Sequence, residues 1–449
     1  MQARWKFGRR LASIVVLVLA TCAAVARPVG AHSAIAHSAC AHSAGAHLGD
    51  APGSSTTERP TCCHDGERRD EVAARDAARD AALPALAPQG DPLKAPMKCL
   101  KCRDAGRRPC SEHPENECEW ELDVLYCSEI AGCAVCFGVG WVDCKDCEDP
   151  VAEKWLADRK AKVASRKTAL EYIDKAMKRE VRKGESAHMV VVWEMEEMKV
   201  EKRRLSRHEL LHLYLKRLET LFLDFQSRLQ VTEKHFAGKP NIYVWYLPED
   251  HNQCGLALCE QNAKGGVKLL GGSPRYTICG NKQNFKDDDA LHRNIVHSTT
   301  HLLLSCVSQP GWMGNIKGGW MDEGLAHWFE DRYWGICDNY CYQEQNSNVD
   351  FKGGKFRLAV RKMVAEGKFP SAPEVFQQNV DTLTLPMHAV AMSYVDYLIN
   401  QDGAKFYELS KKLKAKVPTG DALKEIYGMR PLEFEAVWKS FVLSTYPTR

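Results

Sequence analysis

Two histidines four residues apart, His297 and His301, lie in the run Leu291–Leu304, which is apolar at positions 291, 295, 296 and 302–304. On a helix this spacing puts both imidazoles on one face, where they can reach a single metal ion. The segment Gly319-Trp320-Met321-Asp322-Glu323-Gly324-Leu325-Ala326-His327 opens a second helix and supplies a carboxylate from Glu323, separated from His301 by 21 residues. Two imidazoles and one carboxylate leave a fourth coordination position open to water, which is the layout of a catalytic zinc site. His327, four residues after Glu323, faces the same way as a supporting group or extra ligand. His292, five residues before His297, is less well placed.

A second set of metal-ligand residue types lies upstream. Nine of the 19 cysteines fall between Cys99 and Cys147. Cys99 and Cys102 are followed after seven residues by Cys110 and His113, and Cys133 and Cys136 by Cys144 and Cys147 at the same interval. Paired knuckles joined by a short hairpin can close a tetrahedron around zinc. The spacing predicts two structural zinc sites, one from Cys99, Cys102, Cys110 and His113, the other from Cys133, Cys136, Cys144 and Cys147. The alternative is a disulfide framework. It gives no reason for matched C-x-x-C pairs or for His113 at the fourth-ligand position. The remaining cysteines offer Cys118–Cys127, Cys254–Cys259 and Cys337–Cys341 as disulfide pairs.

The H-x-x-x-H helix, the downstream W-x-D-E-G-x-A segment, Ala391–Leu398 and the closing stretch from Tyr427-Gly428 to Trp438 resemble a gluzincin (peptidase MA-like) metallopeptidase domain. The resemblance covers residues 186–449. It implies a zincin-like domain, mostly helical with a small N-terminal sheet, and His297, His301 and Glu323 as ligands of a third zinc. The family motif is H-E-x-x-H, with its Glu as general base, and here that place holds Ser298. A neutral hydroxyl cannot accept the proton near pH 7, a loss of roughly 10²–10⁴-fold. His327 and Asp322 are the nearby substitutes. The stretch Cys133-Ala134-Val135-Cys136-Phe137-Gly138-Val139-Gly140 resembles the C-x-x-C-x-G-x-G unit of DnaJ-type chaperones. That likeness implies a zinc-ribbon-like module with a peptide-docking surface. No J-domain signature precedes it, so co-chaperone activity does not carry over.

These groups need a scaffold to position them. Hydrophobic content of 45% and charge of 27% are those of a folded chain. A net charge of +3 gives no ground for nucleic-acid binding. Residues 1–26 read as a signal peptide, with Arg4, Lys6, Arg9 and Arg10 before an apolar run and Ala24-Val25-Ala26 as a cleavage site. An uncleaved anchor, or lipidation at Cys22, is the alternative and the one route to a membrane. Residues 27–96 form a low-complexity linker, with His32, His37, His42 and His47 either capturing metal weakly or merely spacing. Residues 97–149 are the Cys-rich module. Residues 150–185 form a basic connecting helix, with Leu156, Val163, Leu170 and Met177 every seven residues and Ile173 and Val181 beside them. Strands are predicted at Met189–Trp193, Asn241–Leu247 and Tyr276–Cys279. The expected fold class is α+β. The expected function is that of an exported zinc-binding pseudo-metallopeptidase that binds polypeptide without efficient cleavage. The alternatives are an active zinc hydrolase with a non-standard base, or a structural envelope protein.

Overall fold

A computed structural model of the protein describes residues 99–112, 124–147, 149–263, 265–271, 273–341 and 351–449. The expected signal, the linker with its histidines, and residues His113 and Cys118 lie outside the described residues. The described chain is a mixed helix and sheet protein in which helix dominates.

The Cys-rich segment is organised by a two-stranded antiparallel ribbon of β1 (Arg107–Pro109) and β3 (Trp141–Asp143). Between them in sequence, β2 (Tyr126–Cys127) leaves the ribbon and joins a larger sheet. That sheet also contains β4 (Lys183–Glu185), β5 (Val190–Glu194), β8 (Asn241–Trp245), β9 (Val267–Leu269) and β10 (Arg275–Cys279), in the order β2-β4-β5-β8-β10-β9. The three central strands β5, β8 and β10 are parallel, and the flanking pairs are antiparallel. Strand β5 reads Val-Val-Val-Trp-Glu, apolar on both faces, as a strand covered from both sides requires. A small hairpin, β6 (Met198–Val200) with β7 (Arg203–Leu205), follows it.

Alternation along the strands gives each face its own core. Val190, Val192, Tyr243 and Trp245 meet helix α1 (Pro150–Met177), whose predicted row of Leu156, Val163, Leu170, Ile173 and Met177 is buried there. Val191, Trp193, Ile242 and Val244 turn to the opposite core, against α2 (Arg207–Leu229). The connecting helix is shorter than expected. It ends at Met177 with Lys178 in the left-handed region, and Lys183–Glu185 becomes a strand. Gly184 decides this locally, because a Cβ there would sit 2.9 Å from Leu215 of α2. The strand can therefore press onto that helix.

The helical half continues with α3 (Pro248–Leu258), α4 (Asp288–Cys306), α5 (Gly319–Trp334), α6 (Phe356–Ala365), α7 (Leu385–Gln401), α8 (Gly403–Lys414), α9 (Thr419–Tyr427) and α10 (Pro431–Thr445). Helix α4 is buried along most of its length; Leu291, Ile295, Val296 and Leu302–Leu304 pack in the core as predicted, and the polar residues His297, Ser298, Thr299, Thr300 and His301 are buried with them. The Asp287 side chain caps its first turn by accepting from the Ala290 amide. Lys414 caps the other end, its Nζ donating to the carbonyls of Ser305, Val307 and Gln309. Among the described residues no helix is long and apolar enough to cross a membrane.

Candidate metal centres

The antiparallel ribbon regroups the predicted zinc ligands. Strand β1 runs from Cys99 and Cys102 toward Cys110, and β3 runs from Cys136 toward Cys144 and Cys147. Because they pair antiparallel, the beginning of one knuckle pair meets the end of the other. The Cys110 amide donates to Gly140 O at 2.9 Å, and the Cys144 amide to Gly106 O at 3.0 Å. Cys99, Cys102, Cys144 and Cys147 therefore form one cluster, and Cys110, Cys133 and Cys136 form another. The expected grouping, with each four-ligand set taken from one contiguous stretch, is corrected to an interleaved one. Spacing identified the ligands, but strand direction decides their partners.

All three sulfur separations are too long for a disulfide, and two of them match the edge of a metal tetrahedron. Cys99 and Cys144 sulfurs are 3.8 Å apart, Cys102 and Cys147 3.1 Å, and Cys110 and Cys133 3.9 Å. A tetrahedron with metal–sulfur bonds of about 2.3 Å has edges of about 3.8 Å. None of the described cysteines is disulfide-bonded, so Cys254–Cys259 and Cys337–Cys341 are not disulfides. Cys254 and Cys259 are simply buried, and burial pushes each thiol up to about 12.

The second centre lies between α4 and α5. His297 and His301 present their Nε2 atoms 3.2 Å apart. Glu323 Oε1 lies 3.5 Å from His301 Nε2, and its Oε2 lies 3.8 Å from His297 Nε2. All three residues are buried. Neither Glu323 oxygen has a donor in hydrogen-bonding geometry, a costly arrangement for a buried carboxylate unless a cation faces it. The imidazoles of His388, His301 and His297 overcome the opposing effect of burial and hold Glu323 well below the usual carboxylate range. Helix α7 brings His388 close because position 324 is glycine. A Cβ there would lie 2.7 Å from the Ala391 carbonyl oxygen.

Asp322 and His327 have other partners. Asp322 Oδ1 is 2.9 Å from His301 Nδ1, and its Oδ2 accepts from Trp312 Nε1 at 2.6 Å. It orients the imidazole, as a carboxylate behind a metal-binding histidine does. His327 is fully buried, its Nδ1 3.0 Å from Glu330 and its Nε2 3.1 Å from His388 Nδ1. Ser298 is buried too, and its hydroxyl has no hydrogen-bond partner among the described residues.

Sequence reasoning missed one member of this centre. Cys341 Sγ lies 3.0 Å from His301 Nε2 and 3.4 Å from His297 Nε2, and groups with both and with Glu323. Its loop is pinned to α4 by Arg293, which donates twice to Asp338, and by Asn294, which donates to Asn339. Lys268 Nζ lies 3.4 Å from the sulfur, a placement that favours thiolate. The expected open fourth position therefore has a thiol beside it. No spacing rule could have found Cys341, since a loop residue carries no periodicity. His388 was equally hidden, being brought in by helix packing alone.

His292 points elsewhere, between the rings of Tyr214 and Trp334. Burial, aided by Arg217 and Arg293, pushes its pKa down to about 2. The unfolded chain then binds a proton below pH 6.5 that the folded chain refuses, so stability falls as pH drops. The slope is at most about 1.4 kcal/mol per pH unit. Replacing His292 with Phe is expected to flatten it between pH 6 and 4.5, read from urea midpoints. Equal slopes for both proteins would contradict this assignment.

No protein-family model matches this chain, and no curated protein is significantly similar to it.

Proposed function

We propose that this chain is a zinc-holding pseudo-metallopeptidase, exported from the cell, that binds polypeptide without cleaving it efficiently. The observation that carries the reading is Cys341, whose sulfur stands within 3.4 Å of both imidazoles. Two imidazoles, a carboxylate and a thiolate complete a tetrahedral set for zinc and leave no position for an attacking water. With Ser298 at the place of the general base, the two requirements for hydrolysis are both unmet. When bound, zinc would supply charge to balance Glu323. His297, His301, Glu323 and Cys341 would hold it, and Asp322 would fix the His301 ring. The basic start and apolar run of residues 1–26 support export. Exposed Leu100 and Phe137 on the cysteine knuckles support a polypeptide-docking surface there.

A mixed peptide library separates this reading from an active hydrolase. The wild-type protein is expected to leave the library intact. Cys341→Ala, which frees one position for water, is expected to cleave weakly. Cys341→Ala combined with Ser298→Glu is expected to gain roughly 10²–10⁴-fold over that single variant. Robust, chelator-sensitive cleavage by the wild-type chain would overturn the proposal.

A further inference from the structure

The His297/His301 pair has a counterpart elsewhere in the chain. Helix α2 begins Arg207-His208-Glu209-Leu210-Leu211-His212, so His208 and His212 are also four residues apart. Their Nε2 atoms approach to 3.0 Å, with ring centroids 4.7 Å apart and planes at 71°. For His297 and His301 the corresponding values are 3.2 Å, 4.9 Å and 68°. Each pair also has a cysteine sulfur at its focus. Cys127 Sγ lies 3.5 Å from His208 Nε2, and the three ligand atoms fall within 4.8 Å of one another.

From this geometry we infer a further metal site, formed by Cys127, His208 and His212, for a zinc-class divalent ion. The donor set is borderline-soft, one thiolate and two imidazoles, which suits zinc, cobalt or cadmium better than magnesium or calcium. The helix fixes both imidazoles before any metal arrives, since the Ser206–Glu209 capping box orders the turn that carries them. Cys127 is buried and His208 only half-buried, so the remaining coordination position opens toward solvent.

The location gives the site a purpose. Cys127 belongs to β2, a two-residue strand at the edge of the large sheet, held by the pairs Tyr126–Glu185 and Cys127–Gly184 alone among its ladder contacts. So short a strand is weakly fixed by its ladder. The same strand stands between the two halves of the cysteine ribbon in sequence. A metal joining Cys127 to α2 closes a loop of 81 residues and fastens the ribbon's connection to the main domain.

The full-length chain loaded with cadmium-113 tests this directly. Cadmium resonances move downfield with each thiolate bound, and their couplings identify the ligands. Two resonances are expected to couple to one cysteine and two imidazoles, one from each histidine pair. His208→Ala is expected to remove one of these and leave the other, and the thiolate-rich ribbon signals, in place. His297→Ala is expected to remove the complementary one. A single such resonance that disappears in His297→Ala and persists in His208→Ala would overturn this inference and leave the α4–α5 centre standing. A single resonance with the opposite behaviour would support the Cys127 site and defeat the other. Absence of both from the wild type would overturn this site as well. Because cadmium–proton couplings to Cys127 or to Cys341 also assign each resonance in the wild type, a folding defect in either variant does not obscure the result.

Discussion

Stripping metal from the purified chain with a strong chelator is expected to abolish backbone protection in residues 99–110 and 133–147 first. Little else holds the two ribbon strands and their knuckles. Strands β1 and β3 have three residues each, and an isolated two-stranded ribbon is marginal in water. The apolar cluster around the first knuckle pair consists of Cys99, Cys102 and Cys144, with Cys147 packed against them. Removing the ion removes the common centre of these residues. A structural zinc site contributes about 10–16 kcal/mol of apparent binding free energy, far above what so short a ribbon can supply. Hydrogen exchange followed by mass spectrometry reads the effect, with α7 and α10 as internal references. Cys102→Ser and Cys144→Ser should each empty the same site, and neither should empty the cluster of Cys110, Cys133 and Cys136. Unchanged protection of β1 and β3 after verified metal removal would refute the metal reading of the ribbon.

The second large effect is expected at Asp396, in the middle of α7. This carboxylate is buried, and accepts from Trp328 Nε1 at 2.8 Å, from both Arg357 Nη atoms, and from Tyr446 hydroxyl at 2.9 Å. It ties α5, α6 and the C-terminal end of α10 to one helix. In Asp396→Ala the Arg357 side chain, about a third exposed, can turn toward water. Trp328 and Tyr446 are buried and have no such escape. Losing one member of a buried charged network costs about 3–5 kcal/mol, a large part of a domain's total stability. Urea unfolding should show this loss, with Asp396→Asn falling between the two proteins. A change below about 1 kcal/mol would mean the network is replaceable.

Helices α1 and α4 and strands β5, β8 and β10 were legible in the sequence because each carries one dominant pattern. The seven-residue row of α1 is a helical face, Leu291, Ile295, Val296 and Leu302–Leu304 of α4 recur at helical spacing, and β5 is apolar in every position but its last. These are local properties, and Leu156, Val163, Leu170, Ile173 and Met177 of the predicted row are all buried in α1, with Ala152 added near its start. The boundary of α1 was not legible. Lys183–Glu185 suits a basic helix as well as an edge strand, and only the neighbouring Leu215 makes the strand the better outcome.

The same division runs through the metal centres. Residue type and spacing determined which side chains can hold a metal: the C-x-x-C pairs, the His297/His301 pair and Glu323. The His208/His212 pair was equally visible, since its spacing is the same. What the sequence could not determine was which ligands share an ion. Cys99 and Cys144 are 45 residues apart and meet because β1 and β3 run antiparallel. Cys341 reaches the two imidazoles because Arg293 and Asn294 hold its loop. Spacing constrains atoms within one turn or one hairpin. The coordination sphere is closed by strand direction and side-chain pairing across the fold, and only the tertiary structure specifies these.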